Sequence, residues 1–230
     1  MKKNILITGC STGFGFALTK FYLNQGYKVY GISRRKPEIE DKNFIFKDFD
    51  LSLVDKIKNS LTQFITAIKE IEIVYLNAGI LGEIKSATEI STEALRAVYE
   101  LNVYANKELL DILSTCKVNT IIGISSGASK NGSIGWAGYS LSKAGLNMLI
   151  NLYAKEMLGT KLLAVAPGVI KTPMTDIIRF GNLDEVKFPS IKSLKEAEIQ
   201  TPKEAVRRID KLVSNLERFE SGEFIDIREL

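Results

Sequence analysis

Short apolar runs alternate along this chain with longer segments in which apolar residues recur every three or four positions. The apolar runs lie at residues 4–8, 27–32, 44–46, 71–76, 118–125, 162–166 and 223–227. They contain few polar positions, which is typical of strands buried on both faces of a parallel sheet. Helical spacing is found at residues 16–26, 52–68, 92–113, 137–158 and 201–218. This alternation predicts an α/β fold: a Rossmann-like, doubly wound parallel sheet of about seven strands with helices on both faces.

The pattern predicts one domain over residues 1–230, because no segment has the composition of a linker and this length suits a single core. Residues 169–200 differ from the rest, since they mix apolar, charged, glycine and proline positions with weak periodicity. We therefore predict a substrate-binding lid at residues 174–200, within the domain. Two serine or threonine positions predict helix starts, with Ser52–Asp55 and Thr201–Glu204 spaced as capping boxes.

Composition excludes several functions. The net charge is +4 and the basic residues are scattered, which does not favour nucleic-acid binding. The chain has no histidine and only two cysteines, Cys10 and Cys116, so the sequence predicts no metal site. No apolar run is long enough for a membrane span or a signal peptide, and we expect a cytoplasmic protein without membrane contact.

A glycine-rich turn follows the first strand and precedes the first helix. Its glycines are Gly9, Gly13 and Gly15, spaced Gly-x3-Gly-x-Gly rather than G-x-G-x-x-G. Free amides and the positive helix end at such a turn can bind a pyrophosphate, while glycines allow its close approach. The same glycines could also serve a tight turn alone, but the strand before and the helix after them favour nucleotide binding.

The end of the second strand distinguishes between dinucleotides. An acidic residue there would bind the adenosine ribose, whereas this chain has Ser33 followed by Arg34 and Arg35. Arginine accommodates a 2′-phosphate, so NADP(H) is favoured over NAD(H), although a solvated basic turn would have the same sequence. Asp50, after the third strand, could contact the adenine or could simply precede a helix.

Tyr139 and Lys143 carry the candidate chemistry. They lie four residues apart in a predicted helix and therefore about 6 Å apart on one face. A phenol with a pKa near ~10 becomes an acid/base at neutral pH only if its pKa falls by about three units, or roughly 4 kcal/mol. A neighbouring ammonium and a cationic cofactor ring could supply that stabilisation. An ordinary surface pair has the same spacing, so other motifs must support this interpretation.

The chain resembles the short-chain dehydrogenase/reductase family over almost its whole length. The motifs that carry the resemblance, in the family's order, are Thr8-Gly9-x3-Gly13-x-Gly15, Asn77-Ala78-Gly79, Asn102, Ser126, Tyr139-x3-Lys143 and Pro167-Gly168-x3-Thr172. Ser126 precedes Tyr139 by thirteen residues, the family's usual interval, and is preferred over Ser125 on that ground.

The resemblance implies an NADP(H)-dependent oxidoreductase that interconverts a carbonyl and a primary or secondary alcohol by hydride transfer. Tyr139 would be the general acid/base, Lys143 would hold the nicotinamide ribose, Ser126 would donate to the reacting oxygen, and Asn102 would position a water. The implied cofactor contacts are Gly9, Ser11, Gly13, Gly15, Arg34, Asp50, Asn77, Gly79, Tyr139, Lys143, Ile170 and Thr172.

The family resemblance also implies a homodimer or homotetramer that acts on a small carbonyl or alcohol substrate. A nucleotide-sugar epimerase would share the Tyr-x3-Lys pair but needs a further domain. The main alternative is a redox sensor or regulatory protein that binds a dinucleotide without turnover. Such a protein would be expected to lack a catalytic group, whereas Ser126, Tyr139 and Lys143 are all present. An FMN carrier would share only the fold class.

Overall fold

The computed structural model describes residues 3–197 and 199–230. Met1, Lys2 and Glu198, which fall within the predicted domain and lid, lie outside the described residues. The strands are β1 Asn4–Thr8, β2 Lys28–Ser33, β3 Phe44–Asp48, β4 Ile71–Leu76, β5 Val118–Ile124, β6 Lys161–Ala166 and β7 Phe224–Asp226. The α-helices are α1 Gly13–Asn24, α2 Ile57–Thr66, α3 Thr92–Tyr99, α4 Ala105–Leu113, α5 Ala137–Glu156, α6 Pro173–Phe180, α7 Pro189–Glu196 and α8 Pro202–Val213.

The described strands form one parallel sheet in the order β3-β2-β1-β4-β5-β6-β7. Ile5 of β1 pairs with Val29 of β2 on one side and Ile73 of β4 on the other. The strand order reverses between β1 and β4, and ligands of open α/β sheets bind in the crevice at the carboxyl ends of such strands. The predicted fold class is confirmed.

Helices cover both faces of the sheet. On one face α2, α4 and α5 bury Leu61, Leu109 and Ile150 against the strands. On the other face α1 and α8 bury Leu18 and Ile209. Each of these side chains is fully buried, and burial of one such side chain contributes about 1.5–3 kcal/mol. The two layers hold the carboxyl ends of the strands in fixed positions.

The predicted helix at residues 92–113 is interrupted. It consists of α3, a π-helical turn at Glu100–Tyr104, and α4. Asn102 lies in this turn and is fully buried. A π-turn inside an α-helix is frequently found at functional sites.

The predicted capping box at Ser52–Asp55 is wrong. The backbone N–H and the hydroxyl of Ser52 both donate to Oδ1 of Asp50, at 3.0 and 2.7 Å. A short 3-10 turn at Val54–Lys56 follows, and α2 begins at Ile57 without a side-chain cap. The competing turn around Asp50 has therefore displaced the helix start.

Helix α5 turns an apolar stripe outward. Leu141, Met148 and Leu152 are 50%, 60% and 48% exposed, whereas Ser142 and Lys143 on the inner face are buried. The helix begins at Ala137, its predicted first residue. Its inner face, including two polar residues, is thus directed at the crevice and the sheet.

Candidate active site

A cleft of about 830 Å³ opens at the carboxyl ends of the strands, at the point where the strand order reverses. Its size is within the range of ligand sites in proteins. The predicted residues that line it are Gly9, Ser11, Gly13, Gly15, Arg34, Asp50, Asn77, Gly79, Ser126, Tyr139, Lys143, Ile170 and Thr172. The fold therefore brings all but one of the predicted residues to a single site. The exception is Asn102, which lies behind the cleft.

The glycine turn connects β1 to α1 at the middle of the cleft. Gly9 and Gly13 have φ angles of +67° and +56°, a backbone conformation that favours glycine. At Gly15 a Cβ would lie 2.2 Å from the carbonyl oxygen of Gly9, so no other residue fits there. The first turn of α1 has neither an acidic residue nor a side-chain cap. Its free amides and positive helix end fit a pyrophosphate group.

Asn77 and Thr8 hold the glycine turn in place. The Asn77 amide donates to the carbonyl oxygens of Thr8 and Gly9, at 2.9 and 3.2 Å. The Thr8 hydroxyl accepts from the backbone N–H groups of Asn77 and Ala78, at 2.9 and 3.0 Å. Thr8 opens the predicted glycine motif, but no role for its side chain was predicted, although a polar residue at the end of a buried strand is a usable signal. These bonds fasten the ends of β1 and β4 to each other across the crevice.

Arg34 and Asp50 meet at the outer end of the cleft. Nη1 of Arg34 lies 3.9 Å from Oδ2 of Asp50, and both side chains are partly solvent-exposed. Burial opposes ionisation of Asp50, but hydrogen bonds from Ser52 and the charge of Arg34 hold its pKa below the ordinary value. Ser33 is buried and its hydroxyl donates to the carbonyl oxygen of Arg35 at 2.8 Å. This bond fixes the backbone that presents both arginines to the cleft.

Tyr139 lies at the inner end of the cleft, beside Ser126. Burial raises the pKa of the Tyr139 phenol, and a hydrogen bond with the Ser126 side chain acts in the opposite direction. Ser126 is held in turn, because its Oγ accepts from the N–H of Ala128 at 3.2 Å. The adjacent Ser125 points elsewhere: it is buried and donates to Oδ1 of Asn147 at 2.5 Å. Of the two serines, Ser126 is the one whose hydroxyl interacts with Tyr139.

Lys143 is the buried cation of the site. Its Nζ donates to the carbonyl oxygen of Ile124 at 2.7 Å and lies 5.7 Å from the centre of the Tyr139 ring. Burial lowers the pKa of Lys143 to about 8. We expected Lys143 to depress the pKa of Tyr139, yet the pKa of Tyr139 is raised. Desolvation of the phenol therefore outweighs the opposing hydrogen bond from Ser126.

Asn102 supports this arrangement from behind. Its Oδ1 accepts from the N–H of Ile80 and its Nδ2 donates to the carbonyl oxygen of Ile80, both at 2.9 Å. Nδ2 also donates to Oγ of Ser142 at 3.0 Å. Asn102 thus joins the loop after β4 to α5. A role in positioning water stays a prediction.

Gly79 lies between Asn102 and Lys143. A Cβ at this position would lie 3.1 Å from Oδ1 of Asn102 and 3.4 Å from Nζ of Lys143.

Thr172 caps α6 and approaches Gly13, where a Cβ would lie 3.1 Å from the threonine methyl group. Ile170 is buried, and its carbonyl oxygen accepts from the Thr175 hydroxyl at 2.8 Å. The segment after β6 therefore closes the cleft opposite the glycine turn.

An apolar wall completes the inner end of the cleft. Leu81, Trp136 and Ile178 are buried in one cluster with residues of the predicted lid. The indole N–H of Trp136 donates to Oγ of Ser190, at 2.6 Å, which ties the start of α5 to α7. No residue of this wall was predicted from the sequence, because the pattern around an isolated tryptophan does not show whether it lies in the core or lines a pocket. The wall gives a substrate an apolar surface beside Tyr139.

No helix in the described ranges is long and apolar enough to cross a bilayer. Among the same residues no cluster of three or more cysteine or acidic side chains could hold a metal ion. An anion-binding turn that opens into a cleft ending at a Tyr–Lys pair is the arrangement of an oxidoreductase that uses a dinucleotide.

Residues 3–181 match the family model described as short chain dehydrogenase, and the chain belongs to that family. A benzil reductase ((S)-benzoin forming) of Bacillus cereus is 32% identical over 251 residues, covering 98% of this chain and 99% of the relative.

Solved structures resemble the fold over nearly its full length. ElxO with NADP bound is 25% identical with a TM-score of 0.79, covering 99% of this chain and 97% of that one. 4-Hydroxyisoleucine dehydrogenase complexed with NADH is 24% identical with a TM-score of 0.80, covering 98% and 96%. Neighbours of this fold thus hold either dinucleotide, so the fold alone does not select the cofactor.

Proposed function

We propose that this protein is an NADP(H)-dependent oxidoreductase that interconverts a carbonyl compound and its primary or secondary alcohol, in one domain whose lid spans residues 174–200. The observation that carries the proposal is the meeting of Tyr139, Ser126 and Lys143 at the inner end of a cleft that begins at an anion-binding glycine turn. NADP(H), when bound, supplies or accepts the hydride. The side chains of the protein transfer the proton and orient the substrate.

In the reducing direction Tyr139 gives its phenolic proton to the carbonyl oxygen. The Ser126 hydroxyl donates to the same oxygen and stabilises the negative charge that develops there. Lys143 places a positive charge beside the phenol and would hold the nicotinamide ribose hydroxyls. The buried surroundings suit this chemistry, because they keep water from competing for the reacting oxygen.

The cofactor contacts follow the cleft from its outer to its inner end. Gly9, Ser11, Gly13 and Gly15 would hold the pyrophosphate, and Asn77 and Gly79 would lie beside the ribose. Asp50 would face the adenine, while Ile170 and Thr172 would hold the carboxamide. Asn102 would position a water behind Lys143 so that the proton given up by Tyr139 is replaced.

The preference for NADP(H) is supported by Arg34 and Arg35, which line the outer end of the cleft without an acidic residue on the end of β2. A guanidinium pairs with a 2′-phosphate. NADPH should bind about tenfold tighter than NADH or better, and Arg34→Gln should remove most of that difference. Titration calorimetry measures both affinities, and equal affinities in the unaltered protein would refute the preference.

Turnover separates this proposal from a dinucleotide-binding redox sensor or regulator of the same fold. The test is NADPH oxidation with a panel of aromatic and aliphatic ketones, aldehydes and diketones. Benzil heads the panel because the B. cereus relative is a benzil reductase. Oxidation that depends on the added carbonyl supports the enzyme. Tight NADPH binding with no oxidation across the panel favours the sensor.

We also propose that the chain forms a homodimer or homotetramer in the cytoplasm. The outward stripe of Leu141, Met148 and Leu152 on α5 supports the assembly, because apolar surface of this kind is covered in stable oligomers. The free thiols of Cys10 and Cys116 suit a reducing compartment. Light scattering should give a multiple of the 25.6 kDa chain, and Met148→Glu should give monomers. A monomeric unaltered protein at micromolar concentration would contradict the assembly.

A further inference from the structure

Arg228 is a charged residue of the cleft to which the proposed reaction assigns no role. It follows β7 in a short 3-10 turn, and it lines the same cleft as Tyr139. Its Nε lies 2.9 Å from Oδ1 of Asp226, and its Nη2 lies 2.5 Å from Oδ2. Asp226 is almost fully buried, whereas the Arg228 side chain is about half exposed. The carboxylate thus fixes the orientation of the guanidinium.

Gly127 and Gly168, which follow β5 and β6, make room for the Arg228 side chain. A Cβ on Gly127 would lie 2.8 Å from Nη2 of Arg228, and a Cβ on Gly168 would lie 3.5 Å from its Cγ and Cδ. Gly127 is the residue after Ser126. The guanidinium therefore lies next to the part of the chain that presents the Ser126 hydroxyl to the reacting oxygen.

One edge of the guanidinium remains available for a ligand. Nε and Nη2 bind Asp226, and within residues 3–197 and 199–230 the Nη1 group has no hydrogen-bond partner. The fixed fork of arginine can bind a carboxylate on one edge and present N–H donors on the other. Arg228 lines the same cleft as the apolar wall formed by Leu81, Trp136 and Ile178.

The charge of the pair decides which acceptor it suits. Asp226 neutralises Arg228 and would repel a second carboxylate, so the pair presents N–H donors without net positive charge. Such a donor suits a neutral carbonyl oxygen. An oxygen on the carbon next to the reacting carbonyl would reach it while the first oxygen is bound by Tyr139 and Ser126.

We infer that Arg228 determines specificity for 1,2-dicarbonyl substrates, by donating to the carbonyl oxygen that is not reduced. This inference rests on the proposed function. Hydride from NADPH adds to one carbonyl carbon and the Tyr139 proton adds to its oxygen, which gives a 2-hydroxyketone and NADP⁺. The second C=O bond is unchanged, and its oxygen stays with Arg228.

The test compares benzil with deoxybenzoin, which has CH₂ in place of the second carbonyl. Arg228→Met keeps much of the stem and removes the donors. The ratio of kcat/KM for benzil to that for deoxybenzoin should fall by about ten- to a hundredfold, the loss of one hydrogen bond from a charged donor. Arg218→Met changes an exposed arginine that is not among the residues lining the cleft, and it should leave the ratio unchanged. A ratio that is also unchanged in Arg228→Met would overturn the inference.

A binding measurement keeps the test independent of turnover. Trp136 is the single tryptophan and lies in the cleft wall, so its fluorescence reports ligands bound beside Tyr139. With NADP⁺ present, the unaltered protein should bind benzil more tightly than deoxybenzoin, and Arg228→Met should bind the two alike. Equal affinities in the unaltered protein would overturn the inference. Arg228-dependent binding without NADPH oxidation would instead refute the proposed reaction alone.

A second variant tests whether Asp226 neutralises Arg228. Asp226→Asn keeps an oxygen for the N–H of Arg228 and removes the negative charge. The guanidinium would then carry a net positive charge, and binding of benzoylformate relative to benzil should increase by about tenfold. No change in this ratio would contradict a neutralised donor pair.

Discussion

At the scale of single residues, Tyr139 and Lys143 lie in surroundings that disfavour charge on both of them. Burial raises the pKa of the phenol and lowers the pKa of the lysine to about 8. Each residue is therefore displaced toward its neutral form. This would favour the proposed reduction, in which Tyr139 must hold the proton that it gives.

The two shifts predict how carbonyl reduction depends on pH. Well below pH 8 Lys143 is charged and Tyr139 protonated, so the reduction rate should be nearly constant from about pH 6 to pH 7. Above pH 8 the lysine loses its proton and the rate should fall. Pre-steady-state rates at saturating NADPH measure this decrease above pH 8. A rate that rises through pH 8 would contradict the assigned roles.

The two neighbouring serines should differ in what their loss affects. Ser126→Ala removes the donor beside Tyr139 and should lower kcat by about 10²–10³-fold. Ser125→Ala removes the buried bond to Asn147 and should lower stability by about 1 kcal/mol while changing kcat far less. Steady-state kinetics and urea unfolding of both variants provide the comparison. The reverse pattern would mean that Ser125 carries the chemistry.

The sequence could indicate Tyr139, Lys143 and the glycines, because their spacing within one helix or one turn is a local property. It could not indicate Arg228, whose position in the cleft depends on the parallel pairing of β7 with β6. The signal that existed was an Asp-x-Arg sequence at the carboxyl end of a predicted strand, where parallel sheets place their ligands.

At the scale of elements, the glycine turn is the most constrained part of the cleft. The carbonyl oxygen of Gly9 lies where a side chain at residue 15 would begin, and the Asn77 amide lies 2.5 Å from the same position. Turn, strand end and helix start thus form one unit. A change in this unit would displace the amides that we propose bind the pyrophosphate.

Gly15→Ala tests this unit. The added methyl group must push the turn away from Asn77, so the Kd for NADPH should rise by about tenfold or more. Gly159→Ala is the matched control, because nothing lies within 4 Å of a Cβ there. Calorimetric affinities of both variants measure the effect. Unchanged affinity in Gly15→Ala would show that the dinucleotide does not use this turn.

Helix starts show why local patterns succeed in one place and fail in another. The predicted capping box of α8 is present, with Thr201 and Glu204 bonded in both directions. At Ser52 the same pattern does not form a capping box, because Ser52 donates its hydrogen bonds to Asp50 instead. Proline at the first position of α8 also favours the helix, and the region after β3 lacks that support.

At the scale of the whole molecule, the alternation of apolar runs and helical segments was sufficient to predict a parallel doubly wound sheet. Buried parallel strands need apolar residues on both faces, and each crossover needs a helix, so the fold leaves a strong pattern. The π-helical turn at Glu100–Tyr104 left no such pattern in the sequence. This turn depends on the contacts of Asn102 with Ile80 across the cleft wall. The lid stays a prediction.

The central claim is that Tyr139 supplies the proton for carbonyl reduction in a cleft that binds NADP(H) independently of that proton. The most direct measurement is Tyr139→Phe, which removes one hydroxyl and leaves the ring in place. We predict that its kcat for NADPH oxidation falls by about 10³-fold or more while its Kd for NADPH changes by less than about threefold. Turnover in Tyr139→Phe within about tenfold of the unaltered protein would contradict the account.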